Sequence, residues 1–105
     1  MSDDAPQAGT GVPAGAMSKD LLIINKRGLH ARASAKFVQA VERFNAQVWV
    51  TRGGETVGGT SIMGLMMLAA GPGTTITVAA AGTDAEAALA AITELVESKF
   101  NEEGT

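Results

Sequence analysis

The sequence predicts an α/β domain of the α+β kind. It reads as an open-faced two-layer sandwich, a four-stranded antiparallel sheet covered by three helices, in the order β-α-β-β-α-β-α. Three observations carry this. Residues 47–51 and 74–80 alternate apolar and polar, the period-two mark of half-buried strands. Residues 31–44 and 85–100 carry apolar side chains at helical spacing. Clusters of Gly, Asn, Asp and Thr separate the runs.

The first strand is read at Leu21-Leu22-Ile23-Ile24, bounded by Asp20 and Asn25, with Gly28 breaking the run. In the first helix Ala33, Phe37, Val41 and Phe44 form the inner face, with Arg32, Lys36, Gln39 and Arg43 opposite. Strand two, 47–51, points Val48 and Val50 one way and Trp49 the other; Trp49 is read as shielding a sheet edge or packing under the N-terminal arm. Arg52-Gly53-Gly54-Glu55 turns the chain into a short third strand at Thr56-Val57. Ser61 is a candidate N-cap for a second helix, with Ile62, Leu65, Met66 and Ala69 as its stripe and Gly71-Pro72-Gly73 as its end. Strand four faces Ile76, Val78 and Ala80 inward. Thr83-Asp84-Ala85-Glu86 reads as a capping box opening a third helix, which runs to about Lys99 or Phe100. The carboxylates of that helix read as a solvated face.

The chain has 105 residues, 46% of them hydrophobic and 18% charged, which suits one domain with a single core. Aromatics are only 4%, so the core is aliphatic and alanine-rich. The net charge is −3 and the eight basic residues are scattered, which argues against nucleic-acid binding. No cysteine is present, so disulfides and thiolate metal sites are excluded, and a reducing cytoplasmic setting fits. The longest apolar run, residues 62–70, is about half the length of a membrane span. Residues 1–16 lack a basic signal-peptide start and read as a disordered arm before a domain at 17–105, with Met17 an alternative start.

The chemistry concentrates at Asn25-Lys26-Arg27-Gly28-Leu29-His30-Ala31-Arg32-Ala33-Ser34, which holds the chain's one histidine. Gly28 frees the backbone before the histidine. The helix that follows offers the amides of Ala31 and Arg32 to an anion. Arg32 adds a guanidinium shaped for phosphate oxygens. A helix N-terminus disfavours a cation, so it favours a neutral, nucleophilic imidazole that can take up a phosphoryl group. One histidine without cysteine cannot supply an ordinary metal site. A catalytic triad using Ser34 or Ser61 has no nucleophile-elbow sequence behind it, and Gly58-Gly59-Thr60-Ser61 lacks the ending of a P-loop.

Gly28-Leu29-His30-Ala31-Arg32 resembles the phosphorylation site of the HPr family, the histidine phosphocarriers of the phosphoenolpyruvate-dependent phosphotransferase system. Ser61-Ile62-Met63-Gly64-Leu65-Met66 resembles that family's second block, at the expected separation, and the likeness extends from about Met17 to Phe100. It implies an HPr-like fold and a cytoplasmic, monomeric, stoichiometric carrier rather than an enzyme, with no cofactor and no metal. His30 is implied to take phosphate on Nδ1 from enzyme I, assisted by Arg32 and the Ala31 amide, and to pass it to an enzyme IIA-type acceptor. Ser61 is implied as a regulatory site for an HPr kinase/phosphorylase where that enzyme exists. Arg27, Ile62, Met63, Met66 and Met67 are implied as docking residues, with Met63 and Met67 exposed. Proline commonly follows the arginine in HPr; here it is Ala33. That residue and the Asn25-Lys26-Arg27 lead-in look more like the nitrogen-related NPr branch than a sugar-transport HPr.

Two rivals stand beside this reading. One is a small regulatory binding module in which His30 only caps a helix. The other is an enzyme using His30 as a general base, which needs a concave pocket that a chain this small has little room to build.

Overall fold

A computed structural model describes residues 12–102 of the chain. Of the arm expected at 1–16, residues 1–11 lie outside the described residues, as do residues 103–105 of the domain; residues 12–16 include a turn closed by the Ala16 amide on the Pro13 carbonyl at 3.1 Å. The elements are β1 (Met17–Leu22), α1 (Ala31–Glu42), β2 (Gln47–Arg52), β3 (Glu55–Gly58), α2 (Ile62–Met67), β4 (Thr75–Ala81) and α3 (Ala85–Glu97). All strand pairs are antiparallel and the sheet order is β1-β4-β2-β3. The element order and sheet type match the sequence reading. Among the described residues no helix is long and apolar enough to cross a membrane.

Register explains the faces. Val50 pairs with Val57 on one side and Val78 on the other, so the three valines share the inner face. Val50, Ile76, Val78 and Ala80 are fully buried beneath the helices. Trp49 stands on the other, open face between Gly58 and Ala79, two small partners that leave room for its ring. The Thr51 and Thr56 hydroxyls bond across the hairpin at 2.7 Å.

The helices complete one core. Phe37 of α1, Leu65 of α2 and Ile92 and Val96 of α3 meet the sheet with 0–1% exposure. Burying each such side chain is worth about 1.5–3 kcal/mol. The stripe expected for α2 is corrected: Leu65 and Leu68 are buried, whereas Ile62 and Met66 are each 41% exposed. A six-residue helix is too short to hold a stripe that spans eight residues, 62–69. It stops before Gly71, and Ala69 takes the left-handed backbone (φ 54) that a C-terminal glycine would ordinarily supply.

Three boundaries differ from expectation for identifiable reasons. The first strand begins at Met17 because the ladder with β4 runs from Met17↔Ala80 to Leu22↔Thr75. Ser18, Lys19 and Asp20 take part in it because an edge strand tolerates polar residues. Ile23 lies just past the strand, yet its amide reaches the Thr74 carbonyl at 2.8 Å. The expected capping box does not form. Asp84 is the N-cap of α3 and makes no cap bond. Its carboxylate instead accepts the Asn45 amide at 2.8 Å, while its own amide donates to the Asn45 carbonyl at 3.1 Å. This clasp ties the start of α3 to the end of α1. Finally, α3 stops at Glu97, and Lys99, Phe100 and Asn101 turn left-handed with φ 58, 57 and 56. Each such residue costs about 1–2 kcal/mol. Phe100, 0% exposed, anchors the turn in the core, and the Lys36 ammonium donates to its carbonyl at 2.6 Å.

Candidate functional site

His30 is the N-cap of α1, with extended backbone (φ −72, ψ −178). Its place is set by a backbone junction. The Leu29 amide donates to the Ala70 carbonyl at 3.0 Å, which docks the loop before the histidine against the chain leaving α2. Gly28 has φ +64, and a Cβ there would stand 2.3 Å from the Ala70 oxygen. Only glycine meets both demands. Arg27, Leu29, His30, Ala69, Ala70 and Gly71 line a shallow depression of about 200 Å³ at this junction.

The ring is held at both nitrogens. The Arg32 amide donates to Nδ1 at 3.3 Å, and Nε2 lies 2.5 Å from Glu102 Oε2. A nitrogen that accepts a hydrogen bond presents its lone pair, so the ring proton belongs on Nε2, where it donates to the carboxylate. Nδ1 thus presents its lone pair toward the start of α1. The side chain is 16% exposed, reachable but not loose. The expectation of two unengaged amides is corrected: the Arg32 amide is engaged by Nδ1, because an N-cap side chain naturally reaches the amide two residues on.

Glu102 is the site residue that the sequence did not reveal. It reaches His30 because the left-handed turn at Lys99–Asn101 redirects the chain after α3. Asn25 completes the arrangement. Fully buried, it donates through Nδ2 to the Gly28 carbonyl at 2.8 Å and to Glu102 Oε1 at 3.3 Å. Its Oδ1 has no hydrogen-bond partner among the described residues. One amide therefore ties the loop before the histidine to the carboxylate behind it. Burial pushes the Glu102 carboxyl up. Hydrogen bonds from His30 and Asn25, with the charges of His30 and Lys36, outweigh this and hold it below the ordinary glutamate value.

The other expected residues fall into place as follows. Arg32, Ala31 and Arg27 are exposed around His30. Ser61 is the N-cap of α2, its hydroxyl accepting the Gly64 amide at 2.9 Å. Ser34 is fully buried and donates to the Leu29 carbonyl at 3.1 Å, so it is no nucleophile. Met63 and Met67 are 69% and 64% exposed, and Ile62 and Met66 are partly so.

A family model described as the PTS HPr component phosphorylation site matches residues 17–98. Phosphocarrier protein HPr of Neisseria meningitidis serogroup A is 49% identical over 86 residues, 82% of this chain and 97% of the relative. Phosphocarrier protein NPr of Shewanella violacea is 42% identical over 86 residues, 82% of this chain and 94% of the relative. The crystal structure of an HPr from Thermoanaerobacter tengcongensis matches with a TM-score of 0.79 at 42% identity, covering 83% of this chain and 98% of that one.

Proposed function

The chain belongs to the HPr family of phosphocarrier proteins, and from that premise we propose that His30 accepts a phosphoryl group on Nδ1 from enzyme I and passes it to an enzyme IIA-type domain. The observation that carries this reading is the orientation of the ring: Nδ1 lies at the N-terminus of α1, against the Arg32 amide, and Nε2 lies against Glu102.

The Nδ1 lone pair attacks phosphorus in line. The new N–P bond forms as the bond to the donor's leaving nitrogen breaks, and that nitrogen keeps the electron pair. The Arg32 amide then exchanges Nδ1 for a phosphoryl oxygen. The Ala31 amide and the Arg32 guanidinium take the others. A helix terminus contributes only about 0.3–1 kcal/mol to an anion. The phosphoryl group is held without being trapped, and the second transfer runs the same steps outward. The carrier has no turnover of its own and needs no cofactor.

Arg27 and the exposed apolar side chains of α2, Ile62, Met63, Met66 and Met67, form the docking surface. Methionines suit a surface that meets different partners in turn. Phosphate on Ser61 would add charge among those contacts, where an HPr kinase/phosphorylase exists. The protein works as a cytoplasmic monomer. Which acceptor docks decides between sugar uptake and nitrogen regulation.

The test is intact-mass spectrometry after incubation with phosphoenolpyruvate, Mg²⁺ and a bacterial enzyme I. One acid-labile phosphoryl group on wild type and none on His30→Ala supports the reading. An unlabelled wild type, even with cognate enzyme I, replaces it with the binding module in which His30 only caps α1.

A further inference from the structure

We infer that Glu102, steered by Asn25, is a positioning residue for phosphoryl transfer at His30, holding the ring by its Nε2 proton while Nδ1 reacts; this rests on the phosphocarrier reading above.

The His30 ring has two polar anchors, the Arg32 amide on Nδ1 and Glu102 Oε2 on Nε2. Phosphorylation removes the first, because Nδ1 becomes bonded to phosphorus and no longer accepts. Glu102 then remains the ring's sole polar anchor among those two. Its charge also matters. As Nδ1 gives its lone pair to phosphorus, the ring gains positive charge, with the proton still on Nε2. A carboxylate at that nitrogen stabilises this charge, much as a buried carboxylate orients and supports a catalytic histidine. Keeping the proton on the ring preserves a good leaving group for the second transfer.

The carboxylate is built into place. Phe100 is sunk in the core, and Lys36 holds its carbonyl at 2.6 Å. The backbone between Phe100 and Glu102 is left-handed, a conformation that persists only where its surroundings impose it. Asn25, fully buried, reaches Oε1 of the same carboxylate and leaves Oε2 for His30. Two independent parts of the chain therefore converge on one carboxylate, and neither contact is needed for a glutamate merely to be solvated.

The experiment compares full-length wild type, Glu102→Gln and Glu102→Ala. One readout is the rate of phosphorylation by enzyme I with phosphoenolpyruvate. The other is the ¹⁵N spectrum of the His30 ring. The expected result for Glu102→Ala is a kcat lowered by about tenfold with KM nearly unchanged. Its ring should lose the single wild-type signal pattern with hydrogen on Nε2. Glu102→Gln, which keeps an acceptor but no charge, should restore the ring pattern and only part of the rate. Unchanged rate and ring spectrum in Glu102→Ala overturn the inference, and so does faster phosphorylation, which would make the contact a brake. If wild type takes no phosphate the carrier reading fails first and this role falls with it. A labelled wild type with an indifferent Glu102→Ala removes the role of Glu102 alone.

Discussion

Gly28 and Ala70 meet backbone to backbone: the site of a Cβ on Gly28 lies 2.3 Å from the Ala70 carbonyl oxygen, and that oxygen already accepts the Leu29 amide at 3.0 Å. The loop that presents His30 is therefore seated on the chain leaving α2. Gly28→Ala must either clash there or abandon φ +64. It is expected to destabilise the fold by about 2–4 kcal/mol. Urea unfolding should show a lower midpoint at an unaltered slope. In the remaining folded protein, phosphorylation should slow, since the junction that seats His30 has shifted. Wild-type stability in Gly28→Ala would show that the close approach is not maintained in solution.

Glu102 links the site to stability as well as to chemistry. Its folded pKa lies below the ordinary 4.5, so the native state binds that proton less readily than the unfolded chain. Its contribution is complete above about pH 4.5 and is lost as pH falls through the lower, folded value. The difference in thermal midpoint between wild type and Glu102→Ala is expected to be largest at neutral pH and to shrink on acidification. A difference that grew toward low pH would mean the carboxyl is held neutral in the fold.

What the sequence revealed and what it hid divide along a physical line. The strands, α1 and the caps of α1 and α2 were legible because they rest on local periodicity and on short side-chain reach: His30 to the Arg32 amide, Ser61 to the Gly64 amide. Asn25 and Glu102 were not, because they are 77 residues apart and meet only through the left-handed turn at Lys99–Asn101. That turn contains no glycine to announce it; burial of Phe100 imposes it. The capping box misled for a related reason. Asp84 has the right chemistry for an N-terminus, but the Asn45 amide, distant in sequence, claims its carboxylate.

Arg32 is exposed, and its guanidinium makes no hydrogen bond or ion pair with the described residues. Arg32→Ala should therefore leave stability within about 0.5 kcal/mol of wild type. It should still slow phosphorylation of His30 by about tenfold, through loss of a charge-assisted contact to the phosphoryl oxygens. Rapid-quench kinetics with enzyme I measure this, and an unchanged rate removes Arg32 from the site.

Ser61 separates a cap from a switch. Ser61→Ala loses the 2.9 Å bond to the Gly64 amide and should cost about 1 kcal/mol, with phosphorylation of His30 intact. Ser61→Asp keeps an acceptor, and a helix N-terminus tolerates its charge. Its thermal midpoint should stay near wild type while transfer from enzyme I slows, because the carboxylate sits beside Ile62 and its apolar neighbours. Normal transfer by Ser61→Asp would leave Ser61 as a cap only.

The apolar side chains of α2 divide into those that hold the fold and those free to meet a partner, and substitution should tell them apart. Met63 and Met67 are 69% and 64% exposed, whereas Leu65 is fully buried between them. Leu65→Ala opens a cavity and should cost about 2–5 kcal/mol. Met63→Glu and Met67→Glu remove no buried contact, so each should stay within about 0.5 kcal/mol of wild type. At a docking surface, however, each places an unpaired charge in a region to be desolvated. KM for the carrier as a substrate of enzyme I should then rise by about tenfold, with kcat largely retained. Steady-state kinetics on the variants, alongside their unfolding curves, test this. Wild-type KM in both glutamate variants would place the docking surface elsewhere on the molecule.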